Sequence, residues 1–253
     1  MKLFISTFLI LFFSSFVISR EIGETEITTE DGIEVFQNEK YYLLKKNVKI
    51  SSDNFVLNAD NVRINFDKSL YDITEIDAKG KVNFKSTEFS IEGAGQTLIF
   101  EVQIEKLKVE GINSEIKTQG IEMFSDGFIK VNNQKGNFSL KGLNSKLISE
   151  DIFIKADSID GIFSNNLDAK KINFLNVVDK KISYVKNNDT EMYAKKINFD
   201  SKNSIIELID NVTIIRNEEK ITGDYGTLDT KNNSYKIKSS NQNNVKVIIQ
   251  NNE

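Results

Sequence analysis

The sequence contains no cysteine, no histidine, no proline and no tryptophan. Without cysteine there are no disulfides and no thiolate chemistry. That absence leaves the compartment open, because an exported protein can do without disulfides. Without histidine the commonest general base and metal ligand is missing. A strongly basic face is also missing: 33 basic residues are intermixed with 37 acidic ones, for a net charge of −4. That balance argues against a nucleic-acid partner. There is no glycine-rich phosphate loop, no Asp-x-Asp-x-Asp-Gly calcium loop and no nucleophile elbow. The expectation is a protein that is not an enzyme, with no catalytic residues, no metal and no cofactor.

What the chain does have begins at its N-terminus. Met1-Lys2 is a short positive start, Leu3 to Phe13 is almost wholly apolar, and Arg20-Glu21 ends the run. This pattern reads as a secretory signal peptide over 1–19, with Val17 and Ser19 at the −3 and −1 positions of a cleavage site. A retained inner-membrane anchor is the alternative, since the run is near the lower limit for a span.

From residue 20 onward the pattern is two-residue alternation, as in Phe55-Val56-Leu57-Asn58-Ala59 and Val62-Arg63-Ile64-Asn65-Phe66. Alternation of β-branched and aromatic residues with polar ones marks half-buried strands. Polar clusters such as Asn132-Asn133-Gln134-Lys135-Gly136 punctuate it with turn chemistry. No stretch has helical period with caps. The 39% apolar content suffices for a core, and no linker interrupts the pattern. The predicted fold is all-β: one elongated antiparallel domain of stacked strand pairs over 20–253.

The alternation is itself repeated. Asn47-Val48-Lys49-Ile50 is followed by Leu57-Asn58-Ala59-Asp60, and Lys81-Val82-Asn83-Phe84 by Ile91-Glu92-Gly93-Ala94. Asn211-Val212-Thr213-Ile214 is followed by Ile221-Thr222-Gly223-Asp224. A shorter echo links Ala169-Lys170-Lys171-Ile172-Asn173-Phe174 to Ala194-Lys195-Lys196-Ile197-Asn198-Phe199. A unit of this size cannot bury its apolar face alone, so stacking of units is expected.

These copies carry a resemblance to the LptA/OstA family. The segment 47–67 resembles its repeat, a Gly/Asn-Val strand followed by an Ala-Asp step; 77–84 resembles the entry to the next repeat and 210–233 the closing one. The match is best over about 35–110 and 190–250, and 111–190 fits as degenerate strands. The resemblance implies a β-jellyroll with an apolar groove along its axis that shields lipopolysaccharide acyl chains as part of a periplasmic bridge to the outer membrane. It implies docking with sister β-jellyroll proteins, an inner-membrane LptC-like one and an outer-membrane LptD-like one. The chain is longer than the compact members of the family, and its N-terminus leaves an LptC-like, anchored subunit open. A carbohydrate-active β-solenoid and a structural surface protein are rivals from other classes.

The lipid-groove candidates are the inward positions of the alternation: Val48, Ile50, Phe55, Leu57, Ile64, Phe66, Val82, Phe84, Phe89, Ile91, Leu98 and Phe100, then Ile129, Val131, Phe138, Leu140, Ile197, Phe199, Val212 and Ile214. Alternation alone describes a closed, dry core equally well; the groove is what the resemblance implies. Val35, Phe36, Val245, Val247 and Ile249 mark terminal strands whose free edges invite docking, including a head-to-tail homo-oligomer. Asp60, Asp67, Asp200, Asp224 and Asp229 read as turn carboxylates. Lys170, Lys171, Lys195 and Lys196 read as a solvated rim.

Overall fold

The computed structural model describes residues 22–69, 72–149, 152–164, 170–240 and 244–249. The apolar run at 1–19 lies outside the described residues. Among the described residues, eighteen strands form one sheet. Four frame its first half: β1 (Glu26–Thr28), β2 (Ile33–Phe36), β3 (Tyr41–Ser51) and β4 (Phe55–Phe66). β5 (Ile73–Ser86) and β6 (Ile91–Glu101) continue it. Four short strands occupy the middle: β7 (Lys106–Glu110), β8 (Ser114–Thr118), β9 (Ile121–Ser125) and β10 (Phe128–Asn132). Long strands then resume with β11 (Asn137–Ser149), β12 (Ile152–Phe163), β13 (Ile172–Asn187), β14 (Thr190–Asp200), β15 (Ile205–Arg216) and β16 (Glu219–Asp229). β17 (Ser234–Lys238) and β18 (Lys246–Ile249) finish it. Among the described residues the one helical element is a 3-10 turn, Val102–Ile104. No helix there is long and apolar enough to cross a membrane.

Every pairing is antiparallel, and with the short strands taken in couples the order follows the chain, so the strands stack like rungs. The short strands act in twos. β7 and β8 pair with the two ends of β6, and β9 and β10 with the two ends of β11. β1 and β2 share β3, and β17 and β18 share β16. Counting each such couple as one rung gives fourteen, about 60 Å at the usual strand spacing.

Each rung is creased at its middle. The register shifts between Lys45 and Val48, Asn58 and Asn61, Lys79 and Val82, Lys141 and Ser145, Lys155 and Ser158, Val178 and Ser183, Tyr193 and Lys196, and Ile209 and Val212. Bulges bend a strand and redirect its side chains. In β4 the buried positions pass from odd (Leu57, Ala59) to even (Val62, Ile64, Phe66) across the crease. The sheet folds there into two facing walls. Wall 1 holds the strand halves on the side of Tyr41 and Phe66, and wall 2 those on the side of Ile50 and Leu57. The contact between walls is direct: Phe55 on wall 2 stacks on Phe100 of wall 1 at 6.2 Å between centroids.

The sequence repeat is the crease. Left-handed backbone occurs at Lys46-Asn47, Gly80-Lys81 and Asp210-Asn211, with φ between 47° and 77°. Asn, Asp and Gly tolerate that region best. The valine that follows points inward and faces a small residue: Val48 opposite Ala59, Val82 opposite Gly95, Val212 opposite Gly223. In the middle of the fold serine replaces the valine, with Ser145 opposite Ala156 and Ser183 opposite Ala194. The shorter echo has no such counterpart, because 194–199 crosses a crease inside β14 whereas 170–171 precedes β13.

Candidate functional site

The inward positions of both walls form one apolar cluster running from Leu44 to Leu228. Val48, Ile50, Leu57, Ile64, Val82, Phe84, Ile91, Leu98 and Phe100 are buried in it, as are Ile129, Val131, Phe138, Leu140, Ile197, Val212 and Ile214; Phe66 is buried outside the cluster, against the Tyr42 ring at 5.3 Å. Phe55, Phe89 and Phe199 are half-buried and pack against it. All of the twenty candidate positions except Phe66 thus share one interior. Near its N-terminal end that interior is closely packed. The cavity between Phe55, Phe84, Phe89, Leu98, Phe100 and Leu107 has a volume of only about 10 Å³, about enough for a single water.

The walls are joined covalently along the crease and meet again along a seam on the opposite side. Two rows of hairpin turns border the seam, including 133–136 on wall 1 and 119–120 on wall 2. Aromatic packing closes it near the N-terminal end, where Phe89 meets Phe100 edge-on at 6.1 Å. In the middle it is bolted by Lys170. The Lys170 amide donates to the Gln119 carbonyl of wall 2 at 3.1 Å. Its Nζ donates to Asn133 Oδ1 on wall 1 and lies 4.3 Å from the centroid of the Phe163 ring. Asn133 in turn donates to Glu105 Oε2 at 2.7 Å. Burial pushes the Lys170 ammonium down to about 8, against the opposing pull of Glu105. Lys170 is therefore not part of a solvated rim: it is only 8% exposed. Lys171 and Lys195 do face solvent.

Two serines inside the crease are satisfied locally. Ser114 Oγ donates to the Gly111 carbonyl at 2.7 Å and Ser145 Oγ to that of Gly142 at 2.9 Å. Asp126 links neighbouring rungs, accepting from the Asn113 amide at 3.3 Å and Asn144 Nδ2 at 3.0 Å. Those hydrogen bonds, Asn144 first, hold its carboxyl below the ordinary range. Among the predicted turn carboxylates, Asp200 and Asp229 each cap a hairpin turn through backbone amides. Asp67 sits at a turn and pairs with Lys40 at 3.1 Å. Asp60 and Asp224 lie instead within β4 and β16 beside the crease. Bulges there interrupt strands without ending them. Among the described residues no cluster of three or more acidic side chains could hold a metal.

Among the described residues, β1 and β2 pair only with β3, and β17 and β18 only with β16, so each end of the stack presents a strand edge. Val35, Val245, Val247 and Ile249 are 46, 41, 53 and 62% exposed, whereas Phe36 stacks on Tyr41 at 4.5 Å.

The candidate positions omitted much of the middle interior. Ile116, Ile121, Met123, Leu147, Ile154 and Ile159 are fully buried. Around Ile116, Ile121 and Met123 the alternation survives only in five-residue pieces because turns at Gly111, Gly120 and Gly127 break it, whereas Leu147, Ile154 and Ile159 lie in the long strands β11 and β12.

The model of the LptA/(LptD N-terminal domain) LPS transport protein family matches the chain twice, over residues 29–137 and 125–234. The second match spans most of the segment in which the repeat looked degenerate. No curated protein matches the chain. Among solved structures it is similar to LptH of Pseudomonas aeruginosa, described as the LptA homologous periplasmic component of the lipopolysaccharide transport device. Identity is 14% and the TM-score 0.44, covering 53% of this chain and 96% of that one. The two family matches together span residues 29–234, and the chain belongs to the LptA/LptD N-terminal domain family of lipopolysaccharide transport proteins.

Proposed function

We propose that the chain carries lipopolysaccharide through the periplasm by taking its acyl chains between the two walls, with no chemistry of its own. The observation behind this is the continuous apolar inner face, bounded by a non-covalent seam instead of a covalent edge. Because the inner side chains of the two walls pack on one another, acyl chains enter by parting the walls at the seam, with the crease as hinge. Apolar surface is worth about 25 cal/mol per Å² when kept from water. Inner side chains stay out of water whether they touch the opposite wall or an acyl chain, so exchange between these states is close to balanced. A balanced exchange suits a carrier, which must release what it binds. The chain has no nucleotide site of recognisable sequence, and the driving energy is supplied elsewhere in the system.

Photo-crosslinkers at Phe84 and Phe100 test the reading in cells. Both are expected to label lipopolysaccharide. Products confined to neighbouring side chains would show instead that the interior stays a closed core.

The exposed terminal strands fit a bridge made by strand addition, to an LptC-like protein at one end and an LptD-like protein at the other, or to a second copy. Unpaired strand edges template such pairing. Removing 244–253 takes away β18 and is expected to abolish partner binding and self-association in co-purification from the envelope, while the fold, read by circular dichroism, persists. Undiminished association of the truncated chain would disprove docking through this end. An inner-membrane-anchored role is distinguished by mass: a chain beginning near residue 20 is a soluble bridge, and one retaining Leu3 to Val17 is an anchored subunit.

A further inference from the structure

Wall 1 carries a second concave feature, on its outer surface. A groove of about 590 Å³ runs along β11 beside the seam, a volume within the range of ligand sites, roughly 300–1,000 Å³. Register explains its shape. Lys106, Asn132, Asn137, Ile162 and Phe174 lie side by side across β7, β10, β11, β12 and β13. One step along, Lys130, Ser139 and Asp160 are aligned in the same way. The short side chains of β11, Asn137 and Ser139, make the floor, and longer ones on either side make the banks.

The banks differ in chemistry. One bears Lys106, Lys130 and Lys135. Lys106 pairs with Glu101, whereas no ion pair of the described residues engages Lys130 or Lys135. Lys130 lies 4.8 Å from the centroid of the Phe128 ring, on the same face. The other bank presents Ile162 and Phe174, 45% and 41% exposed, at outward positions where alternation calls for polar residues. The single carboxylate, Asp160, is turned to Ser139 Oγ at 2.6 Å and Ser158 Oγ at 3.3 Å. Lys130 on β10 stands two strand spacings, about 10 Å, from Ile162 on β12 and three, about 14 Å, from the exposed Phe174 ring on β13. The groove's end reaches the turns at Ile104 and Lys135, which border the seam.

We propose that this groove receives the phosphorylated saccharide head group of lipopolysaccharide, an inference that rests on acyl chains entering at the adjoining seam. The phosphate meets Lys130 and Lys135, and the apolar face of a sugar ring lies on Phe174 and Ile162. Charged hydrogen bonds to phosphate are the stronger kind, and a phosphorylated sugar complements both banks at once. Holding the head outside would let the acyl chains enter the interior without dragging charge into it.

The test uses the full chain with glucosamine 1-phosphate as probe, against glucosamine and inorganic phosphate separately, read by amide chemical shifts. Shifts are expected on β10 to β13 of wall 1, with the phosphorylated sugar binding more tightly than either part. The double variant K130E/K135E should weaken it by at least about tenfold, and F174S should weaken it with inorganic phosphate unaffected. Equal binding of inorganic phosphate alone, or no change in K130E/K135E, overturns the proposal. In cells, a photo-crosslinker at Phe174 should label lipopolysaccharide. Labelling at Phe84 without labelling at Phe174 refutes the outer site alone, whereas no labelling at Phe84 refutes the interior reading. An acidic peptide captured at Phe174 in place of lipopolysaccharide would also overturn it.

Discussion

Truncating Phe138 to alanine is expected to destabilise the protein by about 3–5 kcal/mol, the range for a buried phenylalanine that leaves a cavity. The ring is 4% exposed and stacks on Phe163 at 5.9 Å. It also covers Gly161, its cross-strand partner on β12. A Cβ at Gly161 would lie 2.3 Å from the Phe138 Cζ, so the ring and the glycine define one shape. Gly161→Ala should therefore cost about 1–3 kcal/mol through overpacking. The two substitutions should not add. Alanine at 161 fills part of the space vacated in F138A, so the double variant should be more stable than the sum implies by about 1 kcal/mol. Urea unfolding of the four proteins measures this. Strict additivity would mean that the glycine is there for the backbone and not for the ring. The first half of the chain uses the same device: Phe84 is paired with Gly93, where a Cβ would meet its ring at 2.8 Å. An aromatic ring laid over a cross-strand glycine is a known support for strand pairs.

That recurrence bears on what the sequence made legible. Alternation located the strands and identified Val48, Leu57, Val82, Phe84 and Leu98 as inward, because period two is a direct consequence of pleating. It did not show that each rung changes walls midway. That information is held in Asn47, Gly80-Lys81 and Asp210-Asn211, whose left-handed backbone shifts the alternation, and in the small partners Ala59, Gly95 and Gly223. The repeat was visible, but what it encoded was a corner and not a turn. This is why Asp60 and Asp224 lie beside the crease instead of at hairpin ends. In the middle the same corner is built with Gly111, Asp126-Gly127 and buried serines, a different vocabulary for one geometry. The family match that begins at residue 125 starts among these short strands, within the last residues of the first match. One rung boundary thus serves both units, and the interior passes through it without a gap.

The bolt at Lys170 was illegible in sequence, since a lysine beside a strand start is ordinarily solvated. Its burial has a measurable consequence. The folded-state value near 8 lies below the 10.5 of an ordinary lysine. Below about pH 8 the side chain is charged in both states, and folding bears the full cost of burying it. Between about 8 and 10.5 the unfolded chain binds the proton more often than the folded one does, so this residue's contribution to stability rises with pH. The total is about 3 kcal/mol, from a difference of roughly 2.5 pH units. Other groups run the opposite way at higher pH: burial raises Tyr193 to about 12 and Tyr184 is also raised, so both favour the folded state less as their unfolded forms ionise above pH 10. A comparison with Lys170→Met cancels them. The variant is expected to be the more stable protein at pH 7, with its advantage shrinking by about 3 kcal/mol as the pH is raised to 10.5. A pH-independent difference in denaturant midpoints would show that Lys170 is solvated. The cost also has a mechanical meaning. A methionine would seal the seam more cheaply, whereas an ammonium that loses its hydration when the walls close leaves them easier to part. Lys170→Met should accordingly slow lipid uptake while it stabilises the empty protein, the two effects moving in opposite directions in one variant.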